Sequence, residues 1–111
     1  MDCIFCKIAS GEIPADIVYE DDEIMAFRDL SPQAPVHVLI IPKKHIASLD
    51  EAGTDGELLR RLMAGINGIA AGIGLENAYR VLNNCGEAGM QTVRHIHFHL
   101  LGGRKMGWPP G

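Results

Sequence analysis

The chain has no long hydrophobic run. Its unbroken apolar stretches reach no more than four residues, as in Val38-Leu39-Ile40-Ile41, whereas a bilayer-spanning helix needs about 20. No membrane partner is expected. There is no basic excess either: ten Lys+Arg stand against fourteen Asp+Glu, a net charge of −4. A broad grip on nucleic acid needs a basic face, so that class is set aside, while a small nucleotide in a pocket is not. Cysteine is scarce and odd in number, at three, which suits reduced thiols or a metal better than a disulfide framework. Met1-Asp2-Cys3 lacks the basic, apolar and small-residue order of a signal peptide, and the cytoplasm is the expected compartment.

What is present is ordinary globular material, 47% hydrophobic and 22% charged over 111 residues, so disorder, collagen and coiled coil are poor readings. The length suits one domain, 1–111. A chain this short buries only about two-thirds of its unfolded surface, and oligomerisation would help it.

Cys3 to Ser10 allows two helical turns, stopped by Gly11. Ile17 to Glu20 and Ile24 to Arg28 read as a hairpin around Asp21-Asp22. Asp29 to Pro35 is a loop, and His37 to Ile41 is a short apolar strand ended by Pro42. Thr54-Asp55-Gly56-Glu57 fits a capping box. After it Leu58, Leu59, Leu62, Met63, Ile66, Ile69, Ala70 and Ile73 recur at helical spacing, with Gly74 as the terminal cap. Gly65 and Gly68 inside this helix each cost about 1 kcal/mol relative to Ala and are expected to allow close packing. Ala78 to Asn83 is a strand, Asn84 to Gln91 a glycine-bearing loop, and Val93 to Leu101 a strictly alternating strand. Several strands around one main helix, without regular alternation, predict an α+β fold with an antiparallel sheet.

Three of the five histidines fall within His95-Ile96-His97-Phe98-His99. On a strand, side chains alternate faces, so the three imidazoles line one face at about 7 Å intervals and Ile96, Phe98 and Leu100 line the other. Neutral imidazoles serve as nucleophiles, acid–base groups or metal ligands. A solvated strand face and a metal site made by the strand alone are the rival readings. Three ligands in one straight strand rarely converge on one ion. Cys3-x-x-Cys6 is open between a redox pair, a buried structural pair and zinc. Redox is disfavoured, because that motif normally opens a helix after a strand.

The pattern His-apolar-His-apolar-His-apolar-apolar resembles the signature of the histidine triad superfamily of nucleotide hydrolases and transferases. The resemblance covers nearly the whole chain. It includes Cys-Ile-Phe-Cys-Lys-Ile at the start, Phe27 to Pro35, His37, Ile41 to His45, and Leu100 to Arg104. The ending Met106-Gly107-Trp108-Pro109-Pro110-Gly111 is similar to the histidine triad nucleotide-binding protein branch.

The resemblance implies a sheet of about five strands per subunit with one main helix and a short N-terminal helix, assembled as a homodimer. It implies hydrolysis of purine nucleoside phosphoramidates, with a loose base preference. Hydrolysis of dinucleoside polyphosphates and a non-catalytic binding module are the rivals. His97 matches the nucleophile, His99 a donor to phosphate oxygens, and His37 the fourth histidine supporting them. His95, the first triad member, completes the catalytic set. Asp29 matches the ribose-binding carboxylate. Phe27, Leu30, Ile8 and Ile13 match walls around the base, and Asn84, Gln91 and Thr92 match the polar phosphate loop. Met90 departs from the pattern, where glycine is common. Cys3, Cys6, His45 and His95 match a structural zinc site. Cys85 is expected to be a free thiol. The tail, residues 105–111, is expected to reach the partner's site and influence substrate choice.

Overall fold

The computed structural model describes residues 2–111. Three helices and five strands follow one another as α1 (Ile4–Ala9), β1 (Ile17–Glu20), β2 (Ile24–Arg28), β3 (Val36–Pro42), α2 (Leu49–Ala52), α3 (Gly56–Gly72), β4 (Tyr79–Asn83) and β5 (Phe98–Gly102). The strands form one antiparallel sheet in the order β1-β2-β3-β5-β4. The α+β expectation is met.

Ile24 to Phe27 of β2 and Val38 to Ile41 of β3 are apolar without a break because both faces of the sheet are covered there. Ile24, Ala26, Val38 and Ile40 pack under α3 with Leu62 and Ile66. Met25, Phe27, Leu39 and Ile41 pack on the opposite face with Phe5 and Ile8 of α1. Apart from the small Ala26, each such side chain contributes roughly 1.5–3 kcal/mol by leaving water. Gly65 shows why α3 tolerates glycine: a Cβ there would collide with the Ile24 side chain. Gly68 faces open space, so the close-packing expectation fails for it.

The helix cap sits one residue later than the sequence suggests. Asp55, not Thr54, caps α3, its Oδ1 accepting the Leu58 N–H at 3.1 Å. Glu57 does not reach back, because Arg60 takes its carboxylate at 2.6 Å. Gly74 ends the helix as expected, with φ +82°, a conformation glycine adopts without the Cβ penalty. The four-residue α2 was too short to announce itself by periodicity.

The larger correction concerns the histidine strand, which begins at Phe98 rather than Val93. Its neighbour β4 ends at Asn83, which pairs with Phe98, and its other neighbour β3 ends in a proline that has no N–H. Upstream of Phe98, substitutes replace the ladder. The Ile96 N–H donates to the Ile46 carbonyl at 2.7 Å, and Asn83 Nδ2 donates to the His97 carbonyl at 2.9 Å. The facial alternation survives: Ile96, Phe98 and Leu100 lie in the core beneath α3, and Phe5, on the other face, contacts the rings of His95 and His97.

Candidate active site

On the α1 face a cleft of about 260 Å³ opens between α1, the β2 end and the segment before β5. Its walls include Ile8, Ile13, Phe27 and Leu39, with Asp29, Leu30, Thr92, His97 and His99. Leu30 is fully exposed and forms the lip. A larger hollow of about 440 Å³ lies between β1 and α3, lined by Tyr19, Asp21, Arg61 and Gly65 among others. It carries no histidine or cysteine, whereas the smaller cleft holds His97 and His99 and is the candidate active site.

His97 is buried, and its Nδ1 lies 2.9 Å from the His95 carbonyl. A carbonyl only accepts, so Nδ1 carries the hydrogen and Nε2 keeps the lone pair. The Phe5 ring stands edge-on to His97, 5.1 Å between centroids. His99 lies beside it at 5.1 Å, and its Nδ1 is 2.9 Å from His37 Nε2. Burial, with His97 and His37 nearby, holds His99 down to about 4 against the pull of Asp29. His37 is likewise lowered by burial, opposed by Asp29. Both rings are neutral at pH 7.

Asp29 accepts the Ser31 N–H at 2.7 Å with one oxygen and sets the other 3.5 Å from His37 Nε2. The loop after β4 is braced internally. Asn84 Nδ2 donates to the Gly89 carbonyl at 2.7 Å. Gln91 accepts the Gly86 N–H and donates to the carbonyls of Ala47 and Val93, at 2.6 Å and 3.0 Å. Of the three polar loop residues, Thr92 lines the cleft. Met90 sits at φ +66°, which costs a non-glycine residue roughly 1–2 kcal/mol.

His95 stands apart from the cleft. Its Nε2 faces the Pro42 carbonyl at 2.7 Å, so its Nδ1 offers a lone pair to the sulfurs. Nδ1 lies 3.3 Å from Cys3 Sγ and 3.6 Å from Cys6 Sγ, and His45 Nδ1 lies 3.3 Å from Cys6 Sγ. The four donor atoms fall within 4.8 Å of one another. Zn–S and Zn–N bonds of about 2.3 Å and 2.0–2.1 Å at tetrahedral angles place sulfur and nitrogen roughly 3.5 Å apart. The donor set therefore fits zinc. Burial and the neighbouring Cys3 push the Cys6 thiol up, a penalty that a cation between the sulfurs would relieve.

The HIT-domain family profile matches residues 10–106. The chain belongs to the histidine triad (HIT) family. It is 58% identical over 111 residues to an uncharacterised HIT-like protein of Synechococcus elongatus, spanning 99% of this chain and 97% of that one. It is 47% identical to a 14 kDa zinc-binding protein of Brassica juncea, covering 99% and 100% of the two chains. Among solved structures, a HIT family hydrolase from Legionella pneumophila superposes with TM-score 0.96 at 54% identity, covering 99% of this chain and 100% of the other. A histidine triad nucleotide-binding protein from Candida albicans gives 0.84 at 36%, covering 97% and 83%.

Sequence reading missed several contributors to this HIT site. Asn83, beside the flagged Asn84, holds the His97 carbonyl; its signal was an amide at the strand's last position, where the ladder runs out. Phe5 packs on two triad rings. Asp16 and Arg28 also line the cleft, paired at 3.5 Å. The backbone acceptors Pro42 and His95 leave no mark in side-chain patterns.

Proposed function

We propose that this HIT protein hydrolyses purine nucleoside 5′-phosphoramidates, releasing the nucleoside monophosphate. One observation carries the reading: His97 surrenders Nδ1–H to a backbone carbonyl and keeps its Nε2 lone pair on an apolar cleft, beside a neutral His99. Nε2 attacks phosphorus in line with the amine, the P–N bond breaks, and the amine leaves with a proton taken from water. Because Nδ1 keeps its hydrogen, the nucleotidyl-histidine is an imidazolium, a good leaving group for the water that follows. The His95 carbonyl stabilises that charge. His99 donates to the phosphate oxygens as they gather charge.

In this reading Asp29 takes the ribose hydroxyls, and Ile8, Ile13, Phe27 and Leu30 flank the base. Thr92 meets the phosphate end, with Asn84 and Gln91 shaping its loop. His95 enters catalysis through its carbonyl alone. Its ring joins Cys3, Cys6 and His45 around a structural zinc, where four protein ligands leave no position for substrate. The zinc would pin α1 to the sheet, and thiolate ligands of this kind suit the reducing cytoplasm. The open edge β4 is where a second copy extends the sheet. Arg80, on that strand, donates to the Gly107 carbonyl at 2.7 Å and so holds the tail against the same edge, with Trp108 exposed.

The test is AMP release from adenosine 5′-phosphoramidate. Wild type turns over, and His97→Ala loses on the order of 10⁴-fold or more in kcat. Equal rates, or turnover of diadenosine polyphosphates alone, would overturn the assignment.

A further inference from the structure

A second groove, of about 460 Å³, adjoins the cleft. The two share three wall residues, Ile4, Thr92 and Val93. Strand register sets them at opposite ends of the triad. β2 and β5 both run antiparallel to β3, so they run in the same direction. Leu39 pairs with Phe27 on one side and with His99 on the other. Asp29 and Leu30 follow Phe27, so the nucleoside walls lie from His99 onward. The second groove is bounded instead by Cys3 and His45, whose side chains meet the His95 ring.

Arg94 and Asp2 are the formally charged side chains on this groove. The cluster behind it adds no net charge once two thiolates and two neutral imidazoles hold Zn²⁺. The chain has six arginines. Arg28, Arg60 and Arg61 face carboxylates, and Arg80 and Arg104 donate to backbone carbonyls. Arg94 makes no hydrogen bond or ion pair among the described residues. Its backbone is nonetheless held, because buried His95 follows it and the Ile96 N–H is tied to the Ile46 carbonyl. A free guanidinium is a planar fork that takes a carboxylate through two parallel N–H···O bonds.

We propose that the second groove holds the leaving group, and that Arg94 selects amines that carry a carboxylate, as an α-amino acid does when joined to phosphorus through its nitrogen. With the nucleoside anchored at the His99 end and phosphorus beside His97 and Thr92, the amine extends over Thr92 and Val93 toward Arg94. The released amino acid is a zwitterion, and Asp2 offers an acceptor for its ammonium. The bond that breaks rests on the phosphoramidase reading; the groove and its unpaired arginine do not.

The probes are AMP joined through nitrogen to alanine and the same conjugate of alaninamide, which differ by one charge. Binding is measured by calorimetry on full-length, zinc-loaded His97→Ala, which lacks the nucleophile and leaves both conjugates intact. Because Arg94 is exposed, the alanine conjugate is expected to bind only about fivefold tighter. His97→Ala/Arg94→Gln should bind the two alike. Equal affinities in the first protein, or a preference that survives the second substitution, would overturn the subsite. With His97 intact, kcat/KM should follow the same order and Arg94→Glu should reverse it; an order unchanged in Arg94→Glu would also overturn the subsite. Carboxylate preference in binding without wild-type turnover of either conjugate would overturn the phosphoramidase reading and leave the subsite supported. Turnover of both conjugates with equal affinity and equal rate would do the opposite.

Discussion

His95 and His97 stand two residues apart and present opposite nitrogens. His95 gives Nε2 to the Pro42 carbonyl and turns Nδ1 to the cysteines. His97 gives Nδ1 to the His95 carbonyl and keeps Nε2 for the cleft. The residue type is the same and so is the sheet face; the difference is which ring nitrogen a backbone carbonyl occupies. Which nitrogen each ring presents is set by main-chain acceptors, and those are available because the ladder reaches no further back than Phe98. Had β5 begun at Val93, its backbone groups would have been spent on neighbouring strands.

The largest effect is expected at the Cys3, Cys6, His45 and His95 cluster. Cys6→Ser should cut bound zinc from one per chain to none and lower stability by at least about 2 kcal/mol, a fall of roughly 10 °C or more in Tm. Turnover of the folded fraction should stay within about threefold if the proposed zinc serves structure alone. An unchanged Tm, or a collapse of kcat in well-folded protein, would show that the two sets do not divide as described.

A smaller effect is expected at Asn83→Ala, which leaves the His97 carbonyl without its 2.9 Å donor. The loss should be about 1–2 kcal/mol in stability and about tenfold in kcat, with zinc content unchanged. Loss of zinc instead would place Asn83 with the metal cluster.

A pH effect of comparable or smaller size is expected on the cleft side. Unfolded histidine titrates near 6.5, while folded His99 resists protonation down to about 4. Between those values the unfolded chain binds more protons, so stability is full above about pH 6.5 and declines toward pH 4. After allowance for partial solvent contact, His99 contributes up to about 2 kcal/mol of that decline. Urea midpoints between pH 6.5 and 5 should shift less in His99→Asn than in wild type; identical slopes would contradict the burial argument.

Much of the fold was legible because its elements carry strong periodic signals. Ile17–Glu20 and Ile24–Arg28 emerge from the sequence with the ends they have in the structure, and the histidine triad pattern singled out His97 and His99, which both line the cleft. What stayed hidden depends on long-range backbone geometry. The start of β5 is fixed by Ile46, Asn83 and Pro42, which lie 14 to 53 residues away from their partners. The cap at Asp55 rather than Thr54 turned on Glu57 being claimed by Arg60, a contest between two local pairs that spacing alone does not decide. The charged pair Asp16–Arg28 at the cleft was invisible because neither residue looks unusual in its own segment.

The most direct measurement is the mass of the protein after an alkaline quench during turnover of adenosine 5′-phosphoramidate, followed by peptide mapping. The account requires one nucleotidyl group on the peptide carrying His97, absent in His97→Ala. A nucleotidyl group on another residue, or steady turnover with no adduct at any quench time, would contradict it.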